Sequence, residues 1–128
     1  GAYKDRMKFR LAETYLLLSE AYLRQDMPDK AADAVNEVRR RAKVSDVSDE
    51  EMTMDFLLDE RIRELYGEES RRFTLIRTGK LLERVRKYNP EARDLIQDFH
   101  VLWPIPQAIR DANVGNFPQN PGYEGYEG

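Results

Sequence analysis

The stretch Tyr15-Leu16-Leu17-Leu18-Ser19-Glu20-Ala21-Tyr22 is followed, after a proline-containing break, by Ala31-Ala32-Asp33-Ala34-Val35-Asn36-Glu37-Val38, and the two decide the fold class. Leu11, Tyr15, Leu18 and Tyr22 recur at spacings of four, three and four, one apolar face of an α-helix running from about Met7 to Arg24. Leu16, Leu17 and Ala21 widen the stripe, so this helix is expected to pack on more than one side. Pro28 cannot sit inside a helix but suits the first turn of a new one. A second helix is therefore predicted from about Asp29 to Ala42, with Ala31, Ala34, Val35 and Val38 inward. Arg39-Arg40-Arg41 fall in its last turn, where the helix dipole favours cations. Small residues at Ser19 and Ala31 permit close approach of the two helices. Large residue, Leu-small, Tyr, then Ala is a tetratricopeptide-like pattern, seen once. One such hairpin cannot bury its own apolar face, so neighbours are expected.

Further along, Ser48 and Glu51 have the spacing of a capping box, predicting a third helix from about Asp49 to Tyr66. Met54, Leu58, Ile62 and Leu65 form its stripe, with Phe56, Leu57 and Tyr66 at the margins. Gly67 ends or kinks it. Ser70 to Thr78 reads as a fourth helix, Gly79 as punctuation, and Leu81 to Tyr88 as a fifth, closed by the turn Asn89-Pro90. After about residue 98 the character changes. Phe99 to Gln107 is apolar and carries Pro104 and Pro106, which favour extended backbone. Ala108 to Ala112 allows one helical turn. The Gly-, Asn- and Pro-rich tail must wrap a body or remain disordered. The fold class is thus all-α: a helical hairpin (1–45), further helices (46–98) and an extended wrap (99–128), read as one unit of 128 residues.

Composition narrows the function. The chain has no cysteine, which excludes disulfides, thiolate metal sites and cysteine nucleophiles. A mean hydropathy of −0.76 is polar, no apolar run approaches the ~18–20 residues that span a bilayer, and Gly1 to Arg6 carries no signal-peptide core. Residues 46–69 hold ten acids against Arg61 and Arg63, and residues 71–87 hold seven bases against Glu83. Such blocks pair or lie as solvated helix faces, and with a pI near 5.3 no nucleic-acid partner is expected.

Candidate chemistry is sparse. His100 is the single histidine, without His-Glu-x-x-His spacing or a Gly-x-Ser-x-Gly elbow, and reads as a packed or surface residue. Glu50-Glu51 and Glu68-Glu69 are adjacent acids of the kind glycoside hydrolysis uses, but helix-end and surface roles explain them. No enzymatic activity, catalytic residue, metal or cofactor is expected. Aromatic platforms for a sugar face are Trp103, Tyr123 and Tyr126. Trp103, between Leu102 and Pro104, is expected in the core; Tyr123 and Tyr126 are expected exposed or disordered.

In order along the chain, several segments resemble the SusD/RagB family of surface nutrient-capture lipoproteins of Bacteroidetes. They are Tyr15 to Tyr22, Ala34 to Ala42, Leu58-Asp59-Glu60-Arg61-Ile62-Arg63-Glu64-Leu65-Tyr66-Gly67-Glu68, Arg72-Phe73 and Leu75 to Leu81. Trp103-Pro104-Ile105-Pro106-Gln107 and the terminal Gln119-Asn120-Pro121-Gly122-Tyr123 complete the series. Where the family usually shows an aromatic before the Phe, this chain has Arg72. The chain looks like the C-terminal portion of such a protein. The resemblance implies a lipid-anchored protein on the outer face of the outer membrane, lacking its anchor here. Its expected partners are a SusC-like TonB-dependent transporter and an oligosaccharide, bound mostly outside this stretch. No ligand-binding residue is carried over; the ligand-binding set stays unknown. Glu60, Arg61, Arg63 and Glu64 are implied to tie the third helix to its neighbours, and Pro104-Ile105-Pro106 to close the helical body. The alternative is a small helical adaptor that binds a protein or peptide in a tetratricopeptide-like groove.

Overall fold

The computed structural model describes residues 9–127. Among them are six α-helices, one 3-10 helix and no strand: α1 (Leu11–Leu23), α2 (Pro28–Arg41), α3 (Met54–Glu64), α4 (Arg71–Arg77), α5 (Leu81–Tyr88), the 3-10 helix (Asp98–Val101) and α6 (Gln107–Asp111). The architecture is all-α. The chain divides after Glu69 into two compact units. The expected start of the first helix at Met7 lies outside the described residues.

In the first unit, α1 and α2 form the hairpin. Pro28 is the first residue of α2, where its missing N–H costs nothing. Ser19 is fully buried, and its Oγ donates to the Ala31 carbonyl at 2.9 Å. Ala31, Ala34, Val35 and Val38 are buried as the sequence predicts. On α1, however, the core face is Ala12, Leu16 and Ser19 rather than Leu11, Tyr15, Leu18 and Tyr22. Leu11 is 67% exposed and Leu18 41%. The helix is turned by about one residue because the small side chains of Ala12 and Ser19 let α2 approach. The tyrosines are left half-buried at the margin.

Both helices of the hairpin end in the same way. Asp26 and Lys43 adopt positive φ, 58° each. Each is followed by a bond back across the last turn, from Met27 N–H to the Tyr22 carbonyl and from Val44 N–H to the Arg39 carbonyl, both 3.0 Å. This is the closure that glycine usually provides, because an L side chain strains the left-handed region. Lys43→Gly is therefore expected to raise stability by about 0.5–1 kcal/mol. Chemical denaturation followed by circular dichroism would measure it, and an unchanged or lower midpoint would remove strain from the account of this turn.

The third helix departs from the sequence expectation. The Ser48–Glu51 box forms reciprocally: Ser48 N–H donates to Glu51 Oε2 at 3.3 Å and Glu51 N–H donates to Ser48 Oγ at 3.4 Å. It closes only a turn, which Met52 N–H completes on the Asp49 carbonyl at 3.2 Å. Hydrogen bonds from its own backbone N–H and from Ser48 hold the exposed Glu50 carboxyl below its ordinary value. The helix starts at Met54, where Thr53 in extended backbone is a second cap and accepts from Phe56 N–H at 3.1 Å. Two caps in series, with Met52 buried between them, move the helix start five residues on, from Asp49 to Met54. Leu57 and Leu58 are fully buried, whereas Ile62 is 45% exposed because Arg61 takes the inward position.

A buried amide fixes the α2–α3 connection. Asn36 Oδ1 accepts from Val47 N–H at 2.9 Å and its Nδ2 donates to the Val47 carbonyl at 3.0 Å. In effect Asn36 acts as one rung of a strand ladder for a segment that has none.

The second unit has a thin apolar interior, with Leu75 and Leu81 buried beside Thr74, Arg84 and Gln119. Gly79 ends α4 at φ 71°, and Lys80 N–H bonds the Leu75 carbonyl at 2.8 Å. Asn89 Oδ1 accepts from the N–H groups of Glu91 and Ala92, both at 3.1 Å, which makes the expected turn.

Candidate functional site

Arginine–carboxylate chemistry dominates the first unit. Glu60 accepts from Arg39 of α2 at 2.7 Å and from Arg63 at 2.6 Å. Glu64 accepts from Arg10 and Arg41, both at 2.6 Å. Arg10 also reaches Glu68 at 2.6 Å and donates to the Glu64 carbonyl. These bonds from Glu68 and Glu64 hold the Arg10 guanidinium above its ordinary value. Arg61 is buried, with Nε and Nη2 on Glu69 at 2.7 Å and Nη2 3.9 Å from Glu13. Glu60 ties α3 to α2, Glu64 ties it to Arg10 and to Arg41 of α2, and Arg61 ties it to Glu69, whereas Arg63 pairs inside the helix with Glu60. The arginines that close α2 take up part of the acidic block: Arg40 pairs with Asp46 at 2.6 Å. Glu68 pairs at the surface and Glu51 sits in its turn, but Glu69 is buried rather than a surface acid.

Outside this network, the α1 stripe Leu11, Tyr15, Leu18 and Tyr22 borders two shallow clefts of about 230 and 260 Å³ along the hairpin, which share Tyr15 and Glu37.

The second unit collects the aromatic candidates. The Pro104–Pro106 segment lacks two backbone donors and has no strand partner. The tail supplies side chains instead. Gln119 is 7% exposed; its Oε1 accepts from Ile105 N–H at 2.7 Å and its Nε2 donates to the Ile105 carbonyl at 2.9 Å. Asn120 Nδ2 donates to the Trp103 carbonyl at 2.7 Å, and Tyr123 OH to the Leu102 carbonyl at 2.9 Å. The tail therefore wraps. Tyr123 is half-buried and packed edge-on against Phe99 at 5.0 Å, not exposed or disordered. Tyr126 is 49% exposed, as expected.

Trp103 corrects the sequence reading. It is 60% exposed and no part of a core. The buried place beside its segment belongs to Gln119, with half-buried Tyr123 alongside, and the indole lies outside, against the half-buried Arg72. The Arg72 guanidinium stands 4.2 Å from the ring centroid. Its Nη2 donates to the His100 carbonyl, and its buried Nε has no conventional acceptor, so the π face of Trp103 is its electron-rich neighbour. His100 is half-buried; its Nδ1 accepts from Gln97 N–H at 2.8 Å, a local cap. Among the described residues no group of three or more His, Asp or Glu is arranged to hold a metal. No helix among them is long and apolar enough to cross a membrane. Residue type alone singled out Trp103; Arg72 and Asn120 escaped notice as its supports because only the fold brings them to it.

A family model, that of the SusD family, matches residues 1–123. The chain belongs to the SusD family. Among curated relatives it is 35% identical over 113 residues to the SusD-like protein P25 of Formosa agariphila, covering 80% of this chain and 21% of that one. It is 34% identical over 125 residues to the starch-binding protein SusD of Bacteroides thetaiotaomicron, covering 91% and 21%. It is 32% identical over 108 residues to the SusD-like protein P38 of Formosa agariphila, covering 76% and 20%. The chain spans about a fifth of the length of these SusD relatives. No solved structure gives a significant match. The Pro-Ile-Pro and Gln-Asn-Pro-Gly-Tyr segments, two of those that carry the resemblance to SusD proteins, are joined to each other through the Gln119 side chain.

Proposed function

We propose that the protein to which this sequence belongs captures oligosaccharides at the bacterial cell surface for uptake through a SusC-like TonB-dependent transporter, and that it acts by binding rather than by catalysis. In this reading the protein is held at the outer face of the outer membrane by a lipid anchor, and residues 1–128 form its helical scaffold as one part of a longer chain. The observation that carries it is the SusD-family match over residues 1–123, together with 34% identity to a starch-binding relative. The geometry is consistent with a scaffold role. Buried polar contacts in the first unit join its own elements: Arg61–Glu69, Arg39–Glu60 and Asn36–Val47. The clefts along α1 are what a peptide-binding adaptor would use, but family membership across the chain favours capture.

The test is the source locus. The expected result is an open reading frame extending upstream to a lipidated cysteine, beside a gene for a TonB-dependent receptor. The whole product should then bind oligosaccharides on a glycan array. A start codon at Gly1 with neither feature, or a whole product that binds peptides and no glycan, would overturn the proposal.

A further inference from the structure

We propose that the open face of Trp103 is a stacking platform for a sugar ring, a contact point within these 128 residues. The inference rests on the glycan-capture reading and adds a residue to it. Three observations support it. First, the indole is 60% exposed, although it is the largest apolar side chain in the sequence and the chain contains no other tryptophan. Second, the platform is built and rigid. Leu102 before it, its own carbonyl and Ile105 two residues after it are tied to the tail, through Tyr123, Asn120 and Gln119 respectively, at 2.7–2.9 Å. Pro104 fixes the backbone that follows, and Arg72 covers one ring face. An aromatic group fixed before binding loses little conformational entropy when a ligand arrives. Third, polar side chains are held at this segment: Asn120 Nδ2 donates to the Trp103 carbonyl, and Arg72, stacked on the covered ring face, donates from Nη2 to the His100 carbonyl. A sugar pyranose has an apolar C–H face for the ring and hydroxyls at its rim for these groups. An apolar protein surface would leave the same groups desolvated without partners.

Because Trp103 is the single tryptophan, its emission reports this site alone. The chain would be titrated with maltoheptaose, and in parallel with laminarihexaose and xylohexaose, following emission and binding heat together. The expected result is a saturable emission change with at least one oligosaccharide, tracking the heat, and protection of the indole from acrylamide quenching. Trp103→Ala should weaken that binding at least tenfold, and Trp103→Phe by only a few-fold, with helix content unchanged in both. Should Trp103→Ala fail to fold, the parent titration and Trp103→Phe still decide. Binding heat without an emission change, an indole already shielded from acrylamide without sugar, or equal affinity in Trp103→Ala would each overturn the proposal. Absence of binding by all three sugars would also overturn it. That result would leave glycan capture by the whole product to its own test on the array.

Discussion

Arg61→Ala is expected to cost about 3–5 kcal/mol of stability, because it removes one partner of a buried ion pair. The side chains of Arg61 and Glu69 are 2% and 6% exposed, and Nε and Nη2 of Arg61 both reach Glu69 Oε2 at 2.7 Å. At such burial neither partner is well solvated alone, and Glu13 at 3.9 Å is too far from Arg61 to share a full hydrogen bond. The pair is nonetheless incompletely satisfied, since Nη1 of Arg61 is buried with no partner. That predicts an asymmetry. The double variant Arg61→Met with Glu69→Leu should recover most of the loss, because two apolar side chains of similar volume carry no desolvation penalty. Urea denaturation of the parent, both single variants and the double variant, followed by far-ultraviolet circular dichroism, closes the cycle. An Arg61→Ala variant within 1 kcal/mol of the parent, or a double variant as unstable as the single one, would sink this account.

The same residue illustrates what could be read in advance and what could not. Periodicity identified α3 and placed Leu58 and Leu65 in its buried stripe, and both are buried. It also placed Ile62 there, because hydropathy cannot know that an arginine one position earlier will be carried inside by an acid eight residues on. On α1 the large side chains pointed to the wrong face. Close helix packing is set by where small residues allow contact, so Ala12 and Ser19 outweighed Leu11 and Leu18. The capping box at Ser48 was read correctly as hydrogen bonds and incorrectly as a helix start, since Thr53 offers a second cap five residues later. The hairpin, the break at Pro28 and the end of α4 at Gly79 were legible because proline and glycine act locally. The site in the second unit was legible only as a list of aromatic residues. Whether Trp103 lies inside or outside depends on Gln119, 16 residues away, and local pattern does not report such a pairing.

Gly122→Ala should release the tail from Trp103, and a comparison with Gly67→Ala isolates why. Both glycines sit in the left-handed region, at φ 86° and 76°. An added Cβ on Gly67 meets no atom within 4 Å, so that variant bears only the backbone cost, about 1–2 kcal/mol. At Gly122 the new Cβ would lie 2.2 Å from Phe99 Cγ and 2.7 Å from Phe99 Cβ. A rotamer change would move Phe99 Cγ but leave its Cβ in place at 2.7 Å, so the tail itself must move. Steric overlap adds about 1–3 kcal/mol to the backbone cost. The displacement acts on Tyr123, the next residue, whose ring packs on Phe99 and whose hydroxyl holds the Leu102 carbonyl. With that tie and its Asn120 neighbour loosened, the indole loses its fixed position over Arg72. The expected signature is twofold: a larger loss of stability than for Gly67→Ala, and a near-ultraviolet circular dichroism signal that weakens for Gly122→Ala while Gly67→Ala retains it. Equal stabilities with equal near-ultraviolet spectra would mean that the close approach of Gly122 to Phe99 holds nothing in place. The rigidity assigned to the Trp103 platform would then need another source.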